Sequence, residues 1–141
     1  MNGNTPDIPW QGIVTDVAEA LIYADRDGII RVWNAQAEAV FGFNAAEALG
    51  QSLDLIIPEH LREAHWVGWR AALERGRTRL GAQIRTTRGL HREGRKLYVD
   101  MSFAVVHDAE GRACGSVAMA RDATERYLAE RARRDTAKPG G

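Results

Sequence analysis

The sequence predicts an α+β domain: a five-stranded antiparallel sheet with its helices gathered on one face and a further helix flanking it at each end. Three observations carry that reading. Two short β-rich segments joined at Asp27-Gly28 open the regular part of the chain, and three longer alternating segments close it. Between them lie helix-start signals at Asn34, Asn44 and Pro58. Strands in two blocks around a helical middle build a layered α+β fold, whereas strict alternation of strand and helix would build a parallel sheet.

Residues 1–16 read as an N-terminal extension, frayed at its start and then forming a short cap helix within Ile8–Val17, where Trp10 and Ile13 offer apolar contacts. Strands follow over Ala20–Ala24 and Ile29–Trp33, with the turn supplied by Asp27-Gly28. Asn34 is the N-cap of a helix over Ala35–Phe41, and Asn44-Ala-Ala-Glu47 is a capping box for a second short helix that Gly50 stops. A linker over Gln51–Ile57 reaches Pro58, expected at the first position of a long helix to Glu74, because its missing N–H would be unpaired there anyway. Glu59 and Glu63 complement the dipole of that helix. Three strands are expected over Arg79–Thr87, Lys96–Val106 and Ala113–Arg121, separated by turns at Arg92–Gly94 and Asp108–Gly111. In the middle one Leu97, Val99, Met101, Phe103 and Val105 form one apolar face. Asp122-Ala-Thr-Glu125 is a further capping box, opening a charged helix from Thr124 to Arg134. The boundaries expected are 1–16 for the extension, 17–122 for the domain, 123–135 for the exit helix and 136–141 for a disordered tail.

Composition narrows the function. A chain of 141 residues, 45% apolar and 27% charged, is one domain with a core of its own. Lys plus Arg and Asp plus Glu balance at 19 each, so no excess of positive charge points to nucleic acid or to an anionic membrane. The single cysteine, Cys114, has no internal partner and no CxxC motif, which fits a reducing compartment. The start of the chain lacks the regions of a signal peptide, and no apolar run approaches the roughly 18 residues that span a bilayer, so a cytoplasmic location is expected. No nucleophile, base and orienting group stand together, so no enzymatic role is expected.

Four stretches, ALIYADRDGIIRVWNAQAEAVFGF, ALGQSL, HREGRKLYVDMSFAVV and GRACGSVAMARDATER, resemble a PAS domain over Val17–Glu125, ending in the Asp-x-Thr element of Asp122 and Thr124. The resemblance implies a sensor fold that binds haem, a flavin or a small metabolite, or nothing. The flavin photoreceptor type is disfavoured, since its reactive cysteine lies in a helical asparagine-cysteine-arginine motif and Cys114 does not. The xanthopsin type needs a mid-chain cysteine that is also absent. Pro58-Glu59-x-x-Arg62-x-x-His65 is similar to the start of the cofactor helix in haem-binding PAS domains of the FixL oxygen-sensor type. That resemblance implies haem b with His65 as the iron ligand, Arg85 as the distal arginine, and Met101 and Phe103 over the distal face. Ala71 departs from the pattern: it stands where a propionate-binding arginine is expected, with Arg70 one position off.

The residue types suit that chemistry. At 3.6 residues per turn Leu61, His65, Gly68 and Ala72 share a helix face, and the small pair leaves clearance for a flat macrocycle. Trp69 belongs to the same cofactor set, and with Trp66 it also suits a core or dimer contact. A strand starting near Arg79 puts Gly81, Gln83 and Arg85 on one face, Gln83 being a second possible donor. Neutral imidazole is a good ligand for haem iron. A guanidinium that never loses its proton can donate to an oxygen bearing partial negative charge, and otherwise turn to a carboxylate. Such a domain would sense a diatomic gas, most readily O2, and report through a homodimer or a separate signalling partner. The alternative is a haem-free PAS module for dimerisation or for a small metabolite. His60, His91 and His107 read as surface or turn residues, and Cys114 as a small strand residue.

Overall fold

The computed structural model, which describes residues 6–79, 81 and 83–137, gathers the β-rich segments into one antiparallel sheet. Along the chain come α1 (Trp10–Asp16), β1 (Ala20–Asp25), β2 (Ile30–Trp33), α2 (Ala35–Phe41), α3 (Ala45–Ala48), α4 (Arg62–Arg75), β3 (Arg85–Leu90), β4 (Lys96–His107), β5 (Ala113–Asp122) and α5 (Thr124–Ala137). The five strands lie in the order β2-β1-β5-β4-β3, so the first and last strands of the domain are neighbours at its centre. Period-2 alternation puts Ala20, Ile22 and Ala24 of β1, and Leu97 and Val99 of β4, on the covered face. There they pack with Ile30, Trp33, Phe41, Leu53 and Ile56 in one core.

Two residues shape the entry to the domain. Asn34 caps α2 as expected, but its side chain does more. It is 3% exposed, its Oδ1 accepts from the backbone N–H groups of Ala37 and Leu21, and its Nδ2 donates to the carbonyls of Val14 and Glu19. One buried amide, with every hydrogen satisfied, thus ties α1 to β1 and α2. Gly28 sits at φ +76°, and a Cβ there would run into the Trp66 ring, so both the turn and its neighbour require glycine. The Asn44–Glu47 capping box forms with both of its hydrogen bonds.

The expected linker before α4 is structured: Ser52 bridges to Ile29 and caps a 3-10 turn over Leu53–Ile56. Pro58 does not start the long helix. It precedes a separate 3-10 turn, Glu59–Leu61, closed by the Leu61 N–H on the Pro58 carbonyl, and α4 begins at Arg62. Leu61 is therefore the residue just before α4 instead of one within it. The strand expected over Arg79–Thr87 is displaced to Arg85–Leu90, because Gly81 turns at φ +68° and its carbonyl accepts from Thr78 Oγ1, so pairing with β4 starts only at Arg85 opposite Met101. His91 is in a turn, as expected, but it is not on the surface: it is 7% exposed, against Gly42, and its Nδ1 accepts from the Glu93 N–H. The expectations for residues 1–5 and 138–141, and for strand positions Leu80 and Ala82, lie outside the described residues.

α5 leaves across the opposite face of the sheet, where Tyr127 stacks on Tyr98 with centroids 3.9 Å apart. Thr124 Oγ1 accepts from the Tyr98 N–H, and the Asp122 carboxylate caps the Thr124 N–H. Arg126 grips Asp100 through both carboxylate oxygens, at 2.6 and 2.9 Å, and Thr86 donates to the same carboxylate. α1 presents Trp10, 70% exposed, and Ile13, 49% exposed, to solvent. Among the described residues no helix is long and apolar enough to cross a membrane.

Removing the fully buried Phe41 ring by Phe41→Ala is expected to cost about 3–5 kcal/mol, while Val67→Ser on the exposed side of α4 changes stability by no more than about 0.5 kcal/mol; urea unfolding checks both. Arg126 first, and Thr86 second, hold the Asp100 carboxyl down at about 2 against an ordinary 3.8. A depressed carboxylate contributes stability above its unfolded value and loses it as pH falls through the folded one. The urea midpoint should therefore drop between roughly pH 4 and pH 2, and Asp100→Asn should flatten that drop.

Candidate functional site

α4 meets the sheet through β5. Trp69, 5% exposed, donates its indole N–H to Ser116 Oγ at 3.0 Å, and Ala72 is buried beside it; these are the two buried residues of the helix. Because the helix is seated on β5, a cleft of about 580 Å³ remains between it and strands β3 and β4. All eight residues expected at a cofactor line it: His65, Gly68, Trp69 and Ala72 from the helix, and Gln83, Arg85, Met101 and Phe103 from the sheet side. A second cavity of about 490 Å³, walled by Leu53, Ile56 and Ile57 and by the inner face of the sheet, shares His65, Arg85, Met101 and Phe103 with the first.

His65 stands on the wall common to both spaces. Its ring meets the edge of Trp66 with centroids 4.7 Å apart, and Trp66 is in turn fixed by its indole N–H on Asp54 Oδ1 at 2.8 Å. Burial pushes the imidazole below its ordinary value of 6.5, against the weaker opposing pull of the Asp54 carboxylate, so the neutral form dominates at neutral pH. Its Nδ1 is buried without a hydrogen-bond partner. Such an atom carries an uncompensated desolvation cost, of about 1–3 kcal/mol, that a bound partner would remove.

The rest of the lining is small or apolar on the helix side and cationic toward the mouth. Gly68 is exposed, and a Cβ built there meets nothing within 4 Å, so the space beside His65 is open. Met101 and Phe103 are half-buried neighbours on one face of β4, opposite Ala120 and Ala118 of β5. Arg85 is exposed at the start of β3, and Gln83 precedes the strand instead of lying on it, yet both reach the cleft.

This lining fits the haem that the resemblance implies. Haem iron needs a neutral imidazole, since the porphyrin brings the other nitrogens, and His65 supplies one with an unpartnered ring atom. Among the described residues no three His, Cys, Asp or Glu gather as a metal-ion site of another kind. The sequence reading missed Ser116, which bonds Trp69, and Arg75, Arg79 and Thr87, which also line the cleft. Arg75 had a signal, lying one helical turn after Ala71. Ser116 had none, because only strand pairing brings it under α4.

Comparison with known proteins agrees with this fold. Residues 14–128 match the family described as the PAS fold. The chain is 33% identical over 61 residues, 43% of its length, to Sensor protein FixL of Bradyrhizobium diazoefficiens, covering 12% of that protein. It is 29% identical over 105 residues, 74% of its length, to Oxygen sensor protein DosP of Escherichia coli, covering 13% of that protein. The chain thus spans about an eighth of the length of these curated relatives. Among solved structures, the PAS domain of a protein from Colwellia psychrerythraea superposes with a TM-score of 0.72 at 21% identity, over 83% of this chain and 96% of that one. An RNA-binding light-oxygen-voltage receptor gives 0.71 at 23% identity, over 97% of this chain and 40% of that one.

In the protein without ligand, the ring protons of His65 should titrate by NMR with a midpoint below 6.5, and Asp54→Asn, by removing the opposing carboxylate, should lower it further.

Proposed function

The chain belongs to the PAS fold family, and on that premise we propose that it is a sensor domain that holds haem b through His65 and detects a diatomic gas, most readily O2. The observation that carries this reading is His65 itself: a half-buried, neutral imidazole with an unpartnered ring nitrogen, on the wall of a cleft it shares with Arg85. The similarity to an oxygen sensor protein and to a sensor protein of the FixL type supports the same class.

When bound, haem supplies an iron centre that takes up a diatomic gas. The chain's residues do the rest. His65 would hold the iron through a ring nitrogen, Gly68 and Ala72 would leave room for the macrocycle, and Met101 and Phe103 would keep water from the bound gas. Arg85, which keeps its proton, would be a donor for a bound gas atom that gathers negative charge, and such a contact would favour O2 over carbon monoxide. Arg85 and Thr86 are adjacent on β3 and point to opposite faces of the sheet. Thr86 bonds Asp100, which Arg126 of α5 grips, so a shift of Arg85 reaches the exit helix through one strand. Output then passes to a dimer mate or a separate signalling partner. The second reading, a haem-free module for dimerisation or for a small metabolite, draws support from the exposed Trp10 and Ile13 of α1.

Protein produced with haem available should carry a Soret band that His65→Ala abolishes; a wild type that retains no haem would sink the proposal. In the haem-loaded protein Arg85→Ala is expected to weaken O2 binding by about 10-fold and carbon monoxide binding by about 2-fold or less, read from gas titrations.

A further inference from the structure

A histidine that serves as a metal ligand ordinarily has its ring plane fixed by a hydrogen bond at the nitrogen that does not face the metal. In His65 the buried Nδ1 bonds nothing, so no such bond orients the ring from that atom. A different contact does orient it. The Trp66 indole stands edge-on to the imidazole, with centroids 4.7 Å apart and the planes at 77°. Edge to face is a preferred arrangement of two aromatic rings, so the contact sets an angle as well as a distance.

Trp66 can set that angle because its own ring is held on several sides. Its Nε1–H donates to Asp54 Oδ1 at 2.8 Å. Its six-membered ring lies over Gly28, where any Cβ would run into it. The Arg70 guanidinium lies over the indole, 5.9 Å from the centroid, and Trp69, itself bonded to Ser116, meets it edge to face at 5.2 Å. These supports are joined to one another. The Leu53 N–H bonds the Gly28 carbonyl, and Arg62, the first residue of α4, donates to the carbonyls of Asp54 and Ile57. The β1–β2 turn, the 3-10 turn of Leu53–Ile56 and the start of α4 thus make one platform for the indole.

We propose that Trp66 is the positioning residue for His65: locked on Asp54 and on the Gly28 turn, its indole fixes the imidazole plane in place of the hydrogen bond that Nδ1 lacks. That the positioned imidazole holds iron rests on the function proposed above. There the plane of the ring decides how squarely its nitrogen meets the metal, so the clamp would govern how tightly haem is kept.

The test compares wild type with Asp54→Ala, Asp54→Asn and Trp66→Phe. Asparagine keeps an oxygen for the indole N–H, alanine does not, and phenylalanine has no N–H to give. In the unloaded proteins, NMR couplings about the His65 χ1 bond and Overhauser contacts of its ring protons read the orientation of the imidazole. Wild type and Asp54→Asn should show one orientation, Asp54→Ala and Trp66→Phe an average of several. In the haem-loaded proteins, followed at the Soret band by transfer to excess apomyoglobin, Asp54→Ala and Trp66→Phe should lose haem about 10-fold faster than wild type, and Asp54→Asn within about 2-fold of it. The Asp54 side chain is 40% exposed, so Asp54→Ala should keep the far-UV circular dichroism of wild type. A His65 ring already averaged in wild type, an Asp54→Ala protein equal to wild type in ring order or in haem release, or an Asp54→Asn protein that behaves as Asp54→Ala does, overturns the clamp and leaves the haem reading intact. A wild type that takes up no haem overturns the haem reading, while the couplings in the unloaded proteins still decide the clamp.

Discussion

The hydrogen bond from the Trp69 indole to Ser116 fixes where α4 stands, and the cleft exists because of where it stands. Its net contribution to stability is about 1 kcal/mol, small beside the core, but both partners are buried, so neither turns readily to water instead. The helix is thereby seated over β5, and β4 shows the result residue by residue. Leu97 and Val99 are sealed at 0% and 1% exposure, whereas Met101 and Phe103, next on the same face, are half-open to the cleft. A helix seated over β4 instead would cover those two side chains and close the space.

Around that opening, the chain leaves several groups without the partners they would have in a finished core. Ala64, Val67 and Gly68 of α4 remain exposed, the His65 ring has a buried unpartnered nitrogen, and three arginines at the mouth have no carboxylate. Of these, the buried nitrogen carries a desolvation cost in the protein alone, while the exposed arginines are hydrated. On the proposed function, a bound haem would cover the open helix face and engage the His65 ring together. β3 adds the link outward, with Arg85 toward the cleft and Thr86 toward the Asp100–Arg126 pair that anchors α5.

Much of this was legible because local chemistry decided it. Asp27-Gly28 and Asn34 fix the hairpin and the entry to α2 from within a few residues, and period-2 alternation in β4 picks out Met101 and Phe103. What escaped was decided by pairing between distant segments. The alternation from Arg79 onward reads as strand, but Gly81 bends the chain before it reaches the edge of β4. His91 looks exposed in a turn until Gly42 of another segment comes to lie over it. Trp69 has no assigned role in the sequence until β5 brings Ser116 beneath it. The eight cofactor-side residues came together despite the displaced strand, because Gln83 and Arg85 reach the cleft from a loop and from a strand start as readily as from a strand interior.

The proposed function rests on His65 as the iron ligand. Resonance Raman spectroscopy of the ferrous haem-loaded protein reads that bond itself. Wild type should show an iron–imidazole stretching band that disappears in His65→Gly and returns when free imidazole is added to fill the space. The same band persisting unchanged in His65→Gly would show that another side chain holds the iron, and would contradict the proposed function.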